Sequence, residues 1–316
     1  MKKMTVCFIG VGSIAKRHIR NLYEICKDKG MSCEIDIYRT GKGAPLEPDI
    51  AEKVRNIYYS KEEVPSGYDV IFITNPTRYH VTTLQQFCDK AEHFFIEKPV
   101  ADLRDMEELE QLKLPRNKVY YVACPLRYTK VIQYIKSEIN PQSVYSVRCI
   151  CSSYLPEWRA GVDYREVYSA HKDMGGGVSI DLIHEWDYLK YLFGMPQSME
   201  KYIAQVSDLE IDSDDIAVYI ARYSDKILEL HLDYFGRKTM REIYLFMRDD
   251  TVVCDLTNSQ VRYLKSGRII DFSEERDDFQ KRELEAFCQM IEGKCRNGNS
   301  IEEACETMRL TQGEIK

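Results

Sequence analysis

The spacing of apolar and polar residues changes character once along this chain of 316 residues. In the first part, short apolar runs alternate with segments of helical periodicity. The runs predict strands at 5–10, 33–39, 68–74, 92–99 and 118–124, and the periodic segments predict helices near 14–26, 81–90 and 103–112. Apolar strands that alternate with helices indicate βαβ units, and therefore a parallel sheet with helices on both faces.

After Cys124 the apolar positions follow a different pattern. A helix near 129–137 precedes several closely spaced strands, and residues 227–232 alternate with period two. Such alternation indicates a mostly antiparallel sheet with one face in solvent or at an interface. Helical stretches near 278–292 and 301–308 follow. We therefore expect two domains, 1–123 and 124–316, with the last helices able to pack back on the first domain.

Composition and charge narrow the classes of function. A net charge of −7 gives no electrostatic reason to expect nucleic acid or an anionic membrane as partner. No apolar segment approaches the roughly 20 residues of a membrane helix, and the apolar start of the chain is about one strand long, unlike a signal peptide. The 11 cysteines include no CxxC pair, and the six histidines lack metal-ligand spacing. We expect a cytoplasmic protein with reduced thiols and no metal.

The first predicted strand runs directly into Gly10-x-Gly12-x-x-Ala15, and a predicted helix follows. Gly10 permits a tight turn, Gly12 lets the backbone approach a pyrophosphate, and Ala15 allows close helix packing. The free N–H groups and dipole at the helix start would favour phosphate. This context predicts a dinucleotide-binding Rossmann domain; a merely structural glycine turn is the alternative.

The end of the second predicted strand should carry the group that reads the adenosine ribose. NAD-binding proteins usually place Asp or Glu there, whereas basic and small polar residues favour NADP. Here Arg39, Thr40 and Lys42 follow the strand, while Glu34 and Asp36 come too early, inside it. We therefore favour NADP(H) as cofactor. NAD(H) stays possible, if these are ordinary turn residues.

Three further segments complete a recognisable pattern. "ITNPTRYH" (Ile73–His80) and "FIEKPV" (Phe95–Val100) follow the third and fourth strands, at the sheet edge where ligands bind. "GGGVSIDLIHEWD" (Gly175–Asp187) comes later. With the glycine loop, these segments make the chain resemble the Gfo/Idh/MocA oxidoreductase family over nearly its whole length.

The resemblance implies an α/β fold and an activity. In this family the Rossmann domain, with its doubly wound parallel sheet, precedes an α/β domain built on a large, mostly antiparallel sheet. The open face of that sheet often forms a dimer interface, which implies a homo-oligomer, either a dimer or a tetramer. The implied reaction moves hydride between nicotinamide C4 and a C–OH or C=O carbon of a sugar or sugar derivative.

The resemblance also assigns roles to individual residues. Lys98 would move the proton or polarise the substrate oxygen, and Asp181 would orient Lys98 or the substrate hydroxyl. His184 is a second acid–base candidate, because imidazole titrates near neutral pH. Which of Lys98 and His184 is the base stays open. Arg127 matches a family position near the nicotinamide. The expected cofactor-binding residues are Gly10, Gly12, Ser13, Ile14, Arg39, Thr40, Lys42, Thr74, Asn75, Pro76, His80, Glu97, Lys98 and Arg127.

One departure from the family pattern concerns Asp181 and His184. Many members space the acid and the histidine four residues apart, whereas here they are three apart. We expect both on one face of a single helix, together with Tyr188 and away from its apolar stripe. Asp187, one turn further, is a further candidate for the site, but we favour the interpretation that it is an ordinary polar helix residue. Gly175–Gly177 are expected to keep the start of the helix open to cofactor and substrate.

The segment 154–173 is dense in aromatic and basic side chains. Aromatic rings can stack on sugar faces and arginines can bind carboxylate or phosphate. We expect a small-molecule substrate that is polyhydroxylated and negatively charged, such as a sugar acid or nucleotide sugar; a basic surface loop is the alternative. The expected substrate-binding residues are Lys98, Trp158, Arg159, Tyr164, Arg165, Asp181 and His184. Alternative functions are a dihydrodiol dehydrogenase or biliverdin-reductase-like enzyme, and a non-catalytic NAD(P)-sensing regulatory protein on the same fold.

Overall fold

The computed structural model describes residues 3–315, so Met1, Lys2 and Lys316, the outermost residues of the two predicted domains, lie outside the described residues. The chain forms two compact units. The first comprises the chain up to Ala123 together with Arg276–Cys305, and the second comprises Cys124–Glu275 and the chain from Glu306 onwards. Residues 276–305 thus fall within the range expected for the second domain but belong to the first unit.

The helices carry labels in chain order. They are α1 (Ser13–Asp28), α2 (Pro48–Ala51), α3 (His80–Phe87), α4 (Met106–Gln111), α5 (Lys130–Glu138), α6 (Val178–Asp181), α7 (Ile183–Phe193), α8 (Arg276–Ile291) and α9 (Ile301–Thr311). Short 3₁₀ turns lie between several of these elements. Within residues 3–315, no helix combines the length and the apolar character needed to cross a lipid bilayer.

A six-stranded parallel sheet forms the centre of the first unit. Its strands are β1 (Lys3–Ile9), β2 (Ser32–Tyr38), β3 (Val54–Tyr58), β4 (Tyr68–Ile73), β5 (Ala91–Ile96) and β6 (Tyr120–Val122). Their order is β3-β2-β1-β4-β5-β6. The order in which the chain adds strands reverses between β1 and β4. In such sheets, ligands bind at the carboxyl ends of the strands next to this reversal.

Aromatic rings fill the core of this unit on one side of the sheet. Phe72 stacks between Phe8 and Phe95, with ring centroids 4.4 and 5.0 Å away. Phe287 of α8 packs edge-on against Phe95 at 5.3 Å. The sequence predicts these strands because a strand that is buried on both faces consists almost entirely of apolar residues. β3 escaped prediction because it is a sheet edge whose central residues are exposed.

The second unit is built on an eight-stranded sheet. Its strands are β7 (Val144–Tyr154), β8 (Ser198–Ala204), β9 (Ile216–Arg222), β10 (Ile227–Asp233), β11 (Phe235–Met247), β12 (Thr251–Asp255), β13 (Gln260–Tyr263) and β14 (Ile269–Asp271). Their order is β14-β13-β12-β11-β7-β10-β9-β8, and every pairing is antiparallel except that of β7 with β10. The predicted fold class, α/β with a doubly wound parallel sheet and a second, mostly antiparallel sheet, is confirmed. β13 and β14 were not predicted, because they are too short to carry a pattern.

The two faces of this sheet differ in their surroundings. The register joins one buried row of residues across six strands: Tyr219, Leu230, Cys149, Ile243, Cys254 and Val261. Helix α7 covers this face, and its Trp186 packs edge-on against Tyr219 at 5.3 Å. On the opposite face, Tyr202, Ile220 and Ile269 are 80%, 51% and 61% exposed. The second unit therefore presents one open sheet face with apolar side chains on it.

Candidate active site

The glycine loop leads from β1 into α1. Gly10 has a φ of +87°, and a Cβ there would lie 2.8 Å from Asn75 Cα. Gly12 is the N-cap residue of α1, no side chain caps the helix, and a Cβ at Gly12 would meet no protein atom within 4 Å. The first turn, which begins with Ser13 and Ile14, contains no acidic residue. This helix start therefore has both the space and the free N–H groups that a pyrophosphate requires.

The residues after β2 lie where the ribose would be read. Asp36, inside the strand, is fully buried and accepts hydrogen bonds from Arg55 and Tyr68. Burial alone would raise the pKa of Asp36, but these hydrogen bonds lower it. Arg39 donates to the Ala44 carbonyl at 2.7 Å, and the rest of this turn is exposed. The turn therefore offers basic and hydroxyl groups to a ligand, whereas the Asp36 carboxylate accepts hydrogen bonds from within the protein.

Two of the expected residues join the glycine loop to the strand ends. Thr74 Oγ1 donates to the Gly10 carbonyl at 2.8 Å. His80 is 1% exposed, with Nδ1 3.0 Å from the Pro99 carbonyl and Nε2 2.9 Å from the Asn75 carbonyl. Burial lowers the pKa of His80, and a neutral imidazole donates only one hydrogen bond, so the ring can satisfy one carbonyl at a time. Its position ties the loop after β4, which contains Pro76, to the turn that contains Lys98.

Glu97, beside Lys98, has a buried partner that the sequence analysis missed. His18 of α1 is 1% exposed, and its Nε2 lies 2.6 Å from Glu97 Oε1. Burial would raise the pKa of Glu97, but the hydrogen bond and charge of His18 lower it, and Lys98 acts in the same direction. Lys98 itself is half-buried, and its peptide bond to Pro99 is cis. The backbone around Lys98 is therefore anchored on both sides, by His18 through Glu97 and by His80 through Pro99.

In the second unit, the glycine triplet is shaped by close packing. Gly175 has a left-handed φ of +79° and ends a 3₁₀ turn. A Cβ on Gly176 would overlap the Tyr168 carbonyl and lie 2.7 Å from the Ser169 carbonyl oxygen. A Cβ on Gly177 would overlap the Asp214 carboxylate. The space that a side chain at Gly176 or Gly177 would fill is therefore occupied by other atoms of the protein.

The prediction of one continuous helix after the triplet is wrong. Helix α6 ends at Asp181, Leu182 departs from helical geometry with φ −94° and ψ 32°, and His184 lies in the first turn of α7. Asp181 and His184 therefore belong to different helices. Tyr188 does not share an open face with them either, because it is fully buried with its hydroxyl 3.2 Å from Cys149 Sγ.

Asp181 lies in a cluster of polar side chains. Tyr234 donates to Asp181 Oδ2 at 2.6 Å, and Tyr168 interacts electrostatically with the same carboxylate. Asp214 accepts from the Ser179 N–H at 2.9 Å. Burial raises the pKa of Asp214 and the charge of Asp181 adds to this, against the hydrogen bonds from Ser179. Neither Tyr234 nor Asp214 carries a local sequence signal, because the connections next to β9, β10 and β11 bring them to this cluster only after folding.

Arg127 and Asp187 form a buried ion pair in the second unit. Arg127 Nε donates to Asp187 Oδ2 at 2.8 Å and a terminal nitrogen donates to Oδ1 at 2.6 Å. Both residues are less than 8% exposed. The expectation that Asp187 is an ordinary polar helix residue is therefore wrong: it holds Arg127, a predicted cofactor residue, by a bidentate contact.

The aromatic and basic segment divides into two parts. Arg165 pairs on the surface with Asp163 and Glu210, both at 2.7 Å. The Tyr164 hydroxyl accepts from the Glu210 N–H at 3.2 Å. Arg165 and Tyr164 therefore make these contacts with neighbouring surface residues. Trp158 packs edge-on against the ring of Tyr234 at 5.2 Å.

Arg159 interacts electrostatically with Tyr168, which interacts in the same way with Asp181. Trp158 and Arg159 therefore adjoin the Asp181 cluster, unlike Tyr164 and Arg165.

Among residues 3–315, one group of side chains could supply metal ligands, namely His171, Asp173 and Asp212. Both aspartates are exposed, and Asp212 already accepts from the Lys172 N–H at 2.7 Å.

The parallel sheet, the glycine loop and the uncapped start of α1 define a dinucleotide-binding domain of the Rossmann class. Residues 4–124 match the GFO_IDH_MocA family, described as an oxidoreductase family with an NAD-binding Rossmann fold. Over these residues the chain is similar to that family of oxidoreductases.

Two oxidoreductases that are themselves uncharacterised resemble it in sequence. YrbE of Bacillus subtilis (strain 168) is 25% identical over 198 residues, 61% of this chain and 54% of that protein. The protein sll0816 of Synechocystis sp. is 25% identical over 201 residues, 62% of this chain and 53% of that protein. The chain spans about half the length of the curated relatives it matches.

Solved structures resemble it over a larger share of both chains. The WlbA dehydrogenase from Bordetella pertussis, in complex with NADH and UDP-GlcNAcA, has a TM-score of 0.77 at 17% identity, covering 99% of this chain and 95% of that one. Levoglucosan dehydrogenase in complex with NADH and levoglucosan has a TM-score of 0.82 at 14% identity, covering 99% and 96%. At these identities the likeness establishes a shared fold.

Proposed function

We propose that this protein is a nicotinamide-dependent dehydrogenase or reductase acting on a C–OH or C=O group of a sugar or sugar derivative. The observation that carries the proposal is Lys98, anchored at the carboxyl end of the same sheet that holds the open glycine loop. A bound nicotinamide would supply hydride transfer. The N–H groups at the start of α1 would hold its pyrophosphate, because no side chain caps them.

Lys98 Nζ is proposed to move the proton of the substrate hydroxyl or to polarise the substrate oxygen. Asp181 and His184 are proposed to act in the same reaction, since the family pattern places an acid and a histidine after the glycine triplet. Support for Asp181 comes from its buried phenol partner, Tyr234. Lys98 and His184 both stay candidates for the base.

The proposed cofactor is NADP(H) in preference to NAD(H). Asp36 is committed to Arg55, and Arg39, Thr40 and Lys42 follow β2 instead of a carboxylate. The test is to titrate the protein with NADPH and NADH and to follow nicotinamide fluorescence. Lys42→Ala should weaken NADPH binding several-fold and leave NADH binding unchanged, because only the 2′-phosphate needs a cation there. Tighter binding of NADH by the wild type would refute the preference.

The proposed substrate is a polyhydroxylated molecule with negative charge, such as a sugar acid or nucleotide sugar. Trp158 offers an aromatic surface beside the Asp181 cluster. Arg159 adjoins Tyr168 and makes no ion pair within the described part of the chain, so its charge is available. WlbA and levoglucosan dehydrogenase, whose fold this chain shares, were solved with a nucleotide sugar and a sugar derivative.

The central experiment is a screen of acidic sugars, neutral sugars and nucleotide sugars with both cofactors, followed by nicotinamide absorbance. On the best substrate, Lys98→Met should lower kcat by about 10²–10⁴-fold while cofactor affinity stays within a few-fold. The exposed Lys113→Met is the matched control and should behave like the wild type. Near-normal turnover by Lys98→Met would refute the assignment. Cofactor binding without turnover of any substrate would favour a sensing protein.

The open face of the eight-stranded sheet is proposed as the interface of a homo-oligomer. The exposed Tyr202, Ile220 and Ile269 on this face support the proposal. Ile220→Lys should shift the mass measured by light scattering to that of a monomer. Ile57→Lys, at an exposed position of β3, should leave the mass unchanged. A monomeric wild type would refute this interface.

A further inference from the structure

We infer that Tyr234 is a positioning residue for Asp181, which its phenol hydroxyl holds in the orientation that the reaction requires. The inference rests on the proposed function, because it gives Asp181 a part in turnover. Nothing in the family pattern of glycine loop, Lys98, Asp181 and His184 includes this tyrosine.

Tyr234 is fixed to the backbone of the second unit on both sides. It lies between β10 and β11, its N–H donates to the Asp215 carbonyl at 3.0 Å, and its carbonyl accepts from the Leu155 N–H at 2.9 Å. Asp233 stabilises the same turn by accepting from the Gly236 N–H at 2.7 Å. A residue pinned in this way can hold its side chain in one place.

The side chain of Tyr234 is equally constrained. It is fully buried, with Trp158 packed edge-on against its ring, and its hydroxyl lies 2.6 Å from Asp181 Oδ2. So short a distance is typical of a hydroxyl that donates to a charged oxygen. The donor to Asp181 is therefore part of the core of the second unit.

The phenol of Tyr234 is the donor of this hydrogen bond. Burial raises the pKa of Tyr234, and the negative charge of Asp181 raises it further. The hydroxyl therefore keeps its proton and donates it, and the carboxylate accepts. A donor that is fixed against Oδ2 orients the carboxylate of Asp181.

The matched experiment compares Tyr234→Phe with Tyr219→Phe. Tyr219 is also fully buried, but its hydroxyl donates to the Thr311 carbonyl at 2.8 Å. Both variants lose one buried hydrogen bond, and Tyr234→Phe should lower Tm at least as much as Tyr219→Phe, because its lost bond is charge-assisted. We expect kcat to fall by about tenfold or more in Tyr234→Phe, which loses a charge-assisted bond, with cofactor affinity unchanged. Tyr219→Phe should retain the wild-type kcat.

The Asp181→Asn background keeps the inference testable whatever the stability of Tyr234→Phe. In this background, Tyr234→Phe should lower kcat by a much smaller factor than it does in the wild type, because residues that act through one group are not additive. Equal factors in both backgrounds, or a wild-type kcat in Tyr234→Phe, would overturn the inference.

The outcomes separate this inference from the proposed function. Turnover that depends on Lys98 but is insensitive to Tyr234→Phe refutes the positioning role alone. Turnover that survives Lys98→Met, with a fall in Tyr234→Phe that vanishes in the Asp181→Asn background, refutes the role of Lys98 and supports the positioning role. A wild type that turns over no substrate in the screen overturns both.

Discussion

Gly176 provides the sharpest test of how the second unit is packed. A Cβ at this position would overlap the Tyr168 carbonyl oxygen and lie 2.7 and 2.8 Å from those of Ser169 and His171. All three are backbone atoms, so they cannot rotate away as a flexible side chain would. Gly176→Ala therefore forces either the 168–171 backbone or the start of α6 to move, and both segments contribute to the Asp181 cluster.

The size of the effect follows from the contacts. Overpacking typically destabilises a protein by 1–3 kcal/mol, and three simultaneous backbone clashes place Gly176→Ala at about 3 kcal/mol. At 1.4 kcal/mol for each factor of ten, the unfolded population rises by about 100-fold. For a unit of this size, about 3 kcal/mol lowers Tm by about 6–12 °C.

The assay crosses Gly176→Ala with Gly12→Ala. A Cβ at Gly12 meets no protein atom, so Gly12→Ala should cost no more than about 1 kcal/mol, from the helix N-cap, and should weaken cofactor binding instead. Gly176→Ala should lower stability in urea and retain cofactor binding. A Gly176→Ala protein with wild-type stability, or a Gly12→Ala protein with wild-type cofactor affinity, would refute the corresponding step.

Three further substitutions test other contacts. Burial alone would raise the pKa of Asp36, but the hydrogen bond from Arg55 lowers it. The ionised carboxylate of Asp36 therefore stabilises the folded protein. This contribution is complete above about pH 5 and is lost as the pH falls through the lowered pKa. Asp36→Asn should cost about 2–3 kcal/mol near neutral pH and flatten that acid dependence in urea denaturation; an unchanged slope would contradict it. Asp187→Asn should leave Arg127 buried without a counter-charge and cost about 3 kcal/mol, partly recovered with Arg127→Met; an unchanged Tm would contradict it. Arg165→Ala should change neither Tm nor the KM for substrate, and a tenfold rise in KM would return Arg165 to the substrate site.

Local motifs made the first unit predictable from sequence. β1, β4 and β5 are buried on both faces, so each appears as a run of apolar residues that a helix would interrupt. The glycine loop and Lys98 belong to segments that are contiguous in the chain and adjoin strand ends. The edge strand β3 carries no such run, because its exposed residues need not be apolar.

The parts of the site that escaped prediction are contacts between distant residues. His18 and Glu97 are 79 residues apart, and Tyr234 and Asp181 are 53 apart. A single sequence contains no record of which residues meet across such distances. The break at Leu182 escaped for another reason: helical periodicity is nearly the same for one helix and for two short ones joined by a bend.

Residues 276–305 belong to the first unit but follow the sheet of the second unit in the chain, so the first unit is completed only late in synthesis. Helix α8 brings Phe287 against Phe72 and Phe95, and its buried Glu283 accepts from the Tyr121 hydroxyl at 3.0 Å. All of the parallel strands leave the ribosome long before this helix, since the entire sheet of the second unit is translated in between. The nascent first unit therefore carries an uncovered aromatic surface until α8 emerges, and a fragment that ends at Ala123 would keep that surface permanently.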